Sequence, residues 1–472
     1  MSNRLKKTFV SSLALASITA ASALSTASSL NLNKALGNPG FSREGTAIAV
    51  IDAESGQPLA MHNQDIPLNP ASCMKILTAA AALSSLGPNY RMKTSFYSEQ
   101  EPRGGVINNL YMHGTGDPML VSEEIWRAAR DIRGVGIQKI TGAIIIDDSF
   151  FDSHEFPRKN GNDARAYAAK TSAAAVNFNA ITIKVAPGDG TGSPAIVSVE
   201  PPVDYISIVN KIKTGGKYNV GISSSQNSSG ETFVLTGSIP KNAGVQAIHR
   251  SISDPIKFAA SALAFALRQN GVEVSSTVRH ATVPQGAHLI VKKDSRPISE
   301  LLRSMNKFSN NFIAEQIAKH MGAVRFGNPG STSKGMSVIS EYMRSIGIPQ
   351  ESFLIENGSG LSDQTRITAN ALAHVLASAY SDFAIRPDLV SSFAIMGVDG
   401  TTRNWKFADR VRGIARTKTG TLGGVSTLAG YVPMKNGRIA AFAILVNGLP
   451  KGADAAHRAE VEVVKMIAEA TP

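Results

Sequence analysis

Ser72 and Lys75, in the string Ser72-Cys73-Met74-Lys75, have the types and spacing of a nucleophile and its base. A serine hydroxyl attacks a carbonyl only when something takes its proton, and a lysine amine does so when it is close and stripped of water. On a helix three residues advance about 300°, which sets these two side chains about 60° apart on one face. Cys73 lies two positions from Lys75, about 200° around the helix. It cannot share the lysine and reads as a small buried residue. Ser72 would stand in the first turn of the helix, where free N–H groups and the positive dipole end can stabilise an oxyanion.

Two further strings complete an acyl-transfer site. Ser309-Asn310-Asn311 precedes an amphipathic stretch at 312–321, so a hydroxyl and a carboxamide can project from a fixed turn to relay a proton and hold a substrate amide. Helix capping by Ser309 or Asn310 is the plain alternative. Lys418-Thr419-Gly420 falls on an expected strand ahead of Thr421 and the Gly423-Gly424 turn. An ammonium and a hydroxyl there suit a substrate carboxylate, Gly420 lets another backbone approach closely, and the N–H of Thr421 can face the acyl oxygen.

Each string recurs, so context must discriminate. Ser304 and Lys307 lie mid-helix, Ser331 and Lys334 are read as part of the 327–330 loop, Ser225-Gln226-Asn227 has no apolar helix after it, and Lys213-Thr214-Gly215 reads as a hairpin tip. Other chemistries are poorly supplied. There is no Gly-x-Ser-x-Gly elbow, no phosphate-binding glycine loop and no His-Glu-x-x-His, and the nine histidines are scattered with no metal-ligand spacing. Neither a metal nor a cofactor is expected.

The elements around these motifs set the fold class. Strands are expected at 46–52, 58–61, 411–421, 426–434 and 438–446, with a helix at 71–86 and a terminal one at 453–470. Two strands near the start and three near the end can share one antiparallel sheet, leaving the middle as an insertion. That insertion is mainly strand-like, with helical texture at 122–134 and 255–269 and a polar loop at 223–230. At 472 residues the chain exceeds one ordinary core. The fold class is therefore multidomain α+β.

Arg4, Lys6 and Lys7 precede an apolar stretch at 8–24 with small-residue cleavage sites, the pattern of a secretory signal peptide. Its removal takes three positive charges from the formal +12 and leaves +9. A basic exported chain favours anionic partners, such as cell-wall polymer or lipid head groups at the membrane surface, beside the ordinary reading of solvated Lys and Arg. No nucleic-acid partner is expected of an exported chain without an arginine-rich tract. The single cysteine, Cys73, rules out an internal disulfide.

Taken in order, the motifs resemble those of the class C low-molecular-mass penicillin-binding proteins, the D-alanyl-D-alanine carboxypeptidase/endopeptidases of the S13 peptidase family. The supporting strings are 70–75, Gly114-Thr-Gly-Asp-Pro118, 309–311, Glu356-Asn-Gly-Ser-Gly-Leu-Ser362 and 418–421, with a gap of 237 residues between Ser72 and Ser309. The resemblance implies a serine β-lactamase/penicillin-binding-protein-like domain, a five-stranded antiparallel sheet with helices on both faces, carrying two nested inserted domains. It implies a signal peptide at 1–27, a transpeptidase-like catalytic domain at 28–90 and 297–472, an inserted mainly β domain at 91–118 and 178–296, and a nested small α/β domain at 119–177. It further implies Ser72 as acylated nucleophile, Lys75 as base, and Ser309 and Asn311 as proton relay and substrate guide. Lys418 and Thr419 would hold the terminal carboxylate, with Gly420 and Thr421 beside the oxyanion. Peptidoglycan stem peptides are the implied substrates, β-lactam antibiotics the implied inhibitors and the periplasm the implied location. Cys73 and Asn310 stand where Thr or Ser and Asp are commoner. A β-lactamase is the nearest rival, although no Glu-x-x-Leu-Asn lies between Asn311 and Lys418. A wall-binding scaffold with a vestigial site is the other.

Overall fold

The computed structural model describes residues 30–152, 165–228, 230–275 and 277–471, and the expected signal segment lies outside them. The main sheet has the spatial order Pro58–His62, Thr46–Asp52, Ile439–Asn447, Val425–Pro433, Arg416–Leu422 and Ala394–Ile395, antiparallel throughout. The sequence reading expects five strands. The sixth, Ala394–Ile395, is an edge of two residues paired with Thr417 and Arg416, too short to carry a period-two pattern.

All seven residues of Thr46–Asp52 are buried, which explains their continuous apolar run. Alternation survives as the choice of layer. Ala47, Ala49, Ile51, Ala441, Ala443 and Leu445 pack with the helices Met74–Leu86, Asn311–Phe326 and Ala369–Ser381. Ile48, Val50, Phe442, Ile444 and Val446 face the opposite way and are covered by Val463, Val464 and Ile467 of the terminal helix Ala453–Glu469. Each fully buried Val, Ile or Phe contributes roughly 1.5–3 kcal/mol, so both faces bind the sheet to its helices.

The middle of the chain builds a second core. Lys93–Ser98 pairs antiparallel with His288–Asp294 and Leu110–Gly114, and the sheet continues in parallel through Ile144–Asp147 to Val278–His280. Helices Ser122–Gly134 and Pro255–Gln269 share its apolar side. The segment 119–177 thus contributes Ile144–Asp147 to a sheet whose other strands come from either side of it. Two more sheets lie at 180–251, one of Gln246–Ser251, Ala180–Ala186 and Ile196–Glu200, the other around Glu231–Ile239. Two local expectations change here. The polar run at 223–230 is strand as far as Gln226, because Asn219–Gln226 gains a full antiparallel ladder with Glu231–Ile239. Lys213–Thr214 is a short strand parallel to Ser238 and Ile239, not a hairpin tip.

Helix Asn311–Phe326 is the wall between the two cores. Its Gln316 Nε2 donates to Ser172 O at 2.9 Å, Lys319 Nζ meets Asp152 Oδ1 at 2.6 Å, and Phe312 packs edge-on against Phe178. His320 lies 2.6 Å from Thr115 O through Nδ1, which must therefore be the protonated nitrogen, so Nε2 accepts from Tyr90 Oη at 2.9 Å. Burial pushes that imidazole down to about 4, keeping it neutral in this role. Among the described residues no helix is long and apolar enough to cross a membrane, and no group of three His, Cys, Asp or Glu side chains could hold a metal ion.

Candidate active site

Ser72 sits in a 3-10 turn, Ala71–Cys73, that leads into the α-helix Met74–Leu86. The expected helix at 71–86 therefore opens more tightly than an α-turn. Residues i and i+3 nearly eclipse in that geometry, which lays Lys75 over Ser72. Lys75 Nζ is 2.9 Å from Ser72 Oγ, 2.7 Å from Asn311 Oδ1 and 2.7 Å from Ser359 O. The preceding Ala71 has φ of +45°, a strained left-handed backbone for a residue with a Cβ. Its neighbours over-determine it. Ala71 N donates to Asn69 Oδ1 at 2.8 Å, Thr427 Oγ1 donates to Pro70 O at 2.8 Å, and Gly360 lies too close to Ala71 O to carry a side chain.

Ser309 is also left-handed, with φ of +54°. The cap on the helix that follows is Asn310, whose Oδ1 accepts from Ile313 N at 3.0 Å. Capping thus falls to the middle residue of the motif. Its two neighbours are left to face the lysines, Asn311 on Lys75 and Ser309 Oγ at 2.9 Å from Lys418 Nζ.

Lys418, Thr419 and Gly420 lie on Arg416–Leu422, beside the Ser72 turn. A Cβ on Gly420 would stand 2.8 Å from Pro70 O and 2.9 Å from Ser72 N and would collide with Thr427 Oγ1. Only glycine permits this approach, which brings the strand's backbone alongside the N–H of Ser72. Thr421 follows at an exposed position. Thr419 Oγ1 meets Thr401 Oγ1 at 2.7 Å.

Both lysines are fully buried, and burial governs their chemistry. It holds Lys75 well below the ordinary lysine range, with the like charge of Lys418 adding to the effect and Glu315 opposing it. Burial pushes Lys418 down to about 8. Cys73, equally buried, is pushed up to about 11 and contacts Lys418 O at 3.3 Å and Thr427 Oγ1 at 3.2 Å. A thiol so hard to ionise is inert packing.

The rival strings are engaged elsewhere. Lys307 pairs with Asp399 at 2.5 Å, and Lys334 donates to Gly327 O and Pro329 O. Ser331 is not loop but the N-cap of Thr332–Ser345, its Oγ accepting from Lys334 N at 3.1 Å.

Sequence reasoning passed over Thr401, Ser359 and Glu315. Thr401 has no motif. Ser359 belongs to the Glu356 to Ser362 string, which reads as a turn, and only its carbonyl is used. Glu315 lies one helical turn after Asn311, and that spacing was the available signal. Beside Ser309, Asn311 and Phe312 opens a cleft of about 800 Å³, walled on the other side by Trp126, Pro202 and Phe265.

An antiparallel sheet clad by helices on both faces, with three such motifs meeting beside its Arg416–Leu422 strand, is the architecture of the penicillin-binding enzymes. Comparison with solved structures agrees. Penicillin-binding protein 4 of Haemophilus influenzae superposes with a TM-score of 0.80, covering 93% of this chain and 100% of that one at 22% identity. The same protein complexed with a β-lactam superposes with a TM-score of 0.72 over 89% of this chain and 94% of that one, also at 22% identity. The particular family follows from sequence. Residues 28–470 match the D-Ala-D-Ala carboxypeptidase 3 (S13) family, and the chain belongs to it. The D-alanyl-D-alanine carboxypeptidase of Actinomadura sp. strain R39 is 30% identical over 439 residues, 89% of this chain and 80% of that one. Membership places the chain among the DD-peptidases.

Proposed function

We propose that the chain is an exported serine D-alanyl-D-alanine carboxypeptidase and endopeptidase that acts on peptidoglycan stem peptides through an acyl-enzyme on Ser72. The observation that carries this reading is Lys75 Nζ at 2.9 Å from Ser72 Oγ with no solvent on the amine. A buried lysine of lowered proton affinity gives up its proton more readily, and in the neutral amine the hydrogen bond reverses. The Ser72 hydroxyl donates to the amine lone pair, while the two remaining N–H groups stay on Asn311 Oδ1 and Ser359 O.

The first step forms the bond from Ser72 Oγ to the D-alanyl carbonyl carbon as its proton passes to Lys75. The N–H groups of Ser72 and Thr421 would receive the oxyanion. Collapse breaks the C–N bond, Lys75 gives up the proton it took from Ser72, that proton reaches the departing amine by way of Ser309, and D-alanine leaves. Water then cleaves the ester. Lys418 and Thr419 hold the terminal carboxylate before departure, and the acyl part of the stem lies in the cleft beside Asn311. Where the leaving amine belongs to a second stem, the same steps cut a crosslink.

We assign the insertion at 91–296 to shaping that cleft, since Trp126, Pro202 and Phe265 line it. Export rests on the signal pattern at 1–27 and gives a periplasmic location, with the basic surplus available for peripheral contact with membrane or anionic wall polymer. A β-lactam presents a strained amide to the same serine, and the β-lactam complex of the Haemophilus protein supports acylation here.

Intact mass after penicillin treatment, followed by peptide mapping, tests the proposal. A stable adduct on Ser72 supports it, rapid release of hydrolysed drug indicates a β-lactamase, and no adduct indicates a scaffold. Monomeric and crosslinked muropeptides offered side by side separate carboxypeptidase from endopeptidase activity.

A further inference from the structure

The turn Glu356 to Leu361 enters the steps above only through the Ser359 carbonyl on Lys75, and it is clamped from two sides. Glu315, 1% exposed, accepts from Gly358 N at 3.2 Å through Oε2 and from Ser359 N at 2.9 Å through Oε1. On the other side of the same two residues, Thr78 Oγ1 donates to Gly358 O and Lys75 Nζ to Ser359 O, both at 2.7 Å. One peptide segment therefore has its N–H groups fixed by a carboxylate and its carbonyls fixed by the helix that carries the base. Gly360 closes the clamp. Its φ is +77°, and a Cβ there would meet Met74 Cβ at 2.7 Å and collide with Ala71 O.

Resting on the Ser72 reading, we propose that Glu315 is a positioning residue for proton transfer: its grip on Gly358 and Ser359 aims the Ser359 carbonyl at Lys75 and keeps Nζ on Ser72 Oγ. Glu315 stands one turn beyond Asn311 on the same helix face, so a single rigid element delivers two of the three oxygens that orient the amine, one directly and one through the turn. Its charge also acts at this distance. Three titratable groups face Lys75: Lys418 from Arg416–Leu422, which opposes the charged amine, Glu315, which favours it, and Cys73 from the 3-10 turn, a thiol too hard to ionise to weigh on either side. Burial holds Glu315 itself above the ordinary carboxylate range, with its hydrogen bonds from Ser359 and Gly358 and the charge of Lys75 opposing that rise.

The test is Glu315→Gln in the mature full-length chain, read as the rate of acylation by a fluorescent penicillin across pH, beside melting temperature. Loss of the charge makes Lys75 give up its proton sooner, so the acid limb should move to lower pH. Loss of one acceptor should lower the plateau at least about tenfold, within the range by which a positioned base contributes. A limb superposing on the wild type overturns the proposal. Should the glutamine variant not fold, Glu315→Asp decides, assayed well below its melting temperature. It keeps the charge but shortens the arm, so a folded variant acylated at the wild-type rate overturns the proposal and a tenfold loss supports it. Wild-type protein that forms no adduct at any pH sinks the Ser72 reading instead.

Discussion

Lys418 Nζ lies 2.9 Å from Ser309 Oγ, across 109 residues of sequence and out of contact with solvent. The contact joins the strand that would bind a carboxylate to the turn that would relay a proton. Two strained positions, Ala71 and Ser309, flank this junction, and each precedes or carries a hydroxyl aimed at a buried lysine. Strain of this kind persists only where the surroundings over-determine it. Here a cap, a glycine approach and a pair of threonine hydroxyls do so.

The first prediction concerns pH. Lys418 ionises in the unfolded chain near 10.5 and in the folded chain near 8, so between those values the unfolded state binds more protons. Its contribution to stability is therefore unfavourable below about pH 8 and is relieved as pH rises toward 10.5. Carboxylate binding has the opposite sign, because it needs the ammonium. KM for a D-alanyl-D-alanine peptide should climb above about pH 8 while stability does not fall on this residue's account. Steady-state kinetics across that range check it, and a flat KM would place the carboxylate contact on another group.

Lys75→Ala removes the proposed base together with a buried amine. Acylation by penicillin should drop by about 10²–10⁴, the usual share of a positioned base. The fold should hold, since three acceptors around Nζ lose a partner that was itself costly to bury. Stopped-flow acylation and circular dichroism read the two effects separately. A variant acylated at the wild-type rate would remove Lys75 from the mechanism.

Gly420→Ala tests the approach of strand to nucleophile. The added Cβ must displace Pro70 O, Ser72 N or Thr427 Oγ1, none of which is the loose end of a long side chain. Overpacking of this kind costs about 1–3 kcal/mol. The acylation rate should fall further than stability alone explains, because one of the atoms to be displaced is Ser72 N, the N–H proposed to receive the oxyanion. A melting curve paired with the penicillin rate measures both. Loss of stability with an unchanged rate would mean that the strand yields away from Ser72.

Local pattern was sufficient for the parts of the fold built from neighbours in sequence. The strand 46–52 and the helix 255–269 have the expected ends, and the terminal helix differs by one residue. What could not be read were pairings between distant segments. Ile144–Asp147 lies between Leu110–Gly114 and Val278–His280 in parallel, a register that no local turn dictates. The site divides in the same way. Ser72, Lys75, Ser309, Asn311 and Lys418 come together as their motifs imply, because hydroxyls and amines at fixed spacing announce a function. Glu315 and Thr401 meet the site through backbone groups or a single hydroxyl; no motif marks Thr401, and only the one-turn spacing from Asn311 points to Glu315.

Glu460 supplies the last prediction, and it lies behind the same strands. It stands on the terminal helix, fully buried, with Oε1 accepting from Ser426 Oγ at 2.7 Å and Oε2 without a partner among the described residues. Ser426 pairs in register with Thr421, so this carboxyl backs the strand that carries the proposed oxyanion contact. Burial pushes it up to about 8, from 4.5 in an unfolded chain. The sign follows directly. The contribution is fully present below about pH 4.5, where both states are protonated, and it is lost as pH rises through about 8, where the unfolded chain has long since ionised. Glu460→Gln keeps the shape and removes the titration. The variant should match the wild type near pH 5 and exceed it near pH 9 by on the order of 2–4 kcal/mol, several degrees of melting temperature. Penicillin acylation near pH 7 should stay within about twofold, since the carboxyl is already neutral there and touches neither lysine. Melting curves of the two proteins that run parallel from acid to alkaline pH would show that Glu460 is ionised within the fold, and a partner for Oε2 would then have to be sought in bound water.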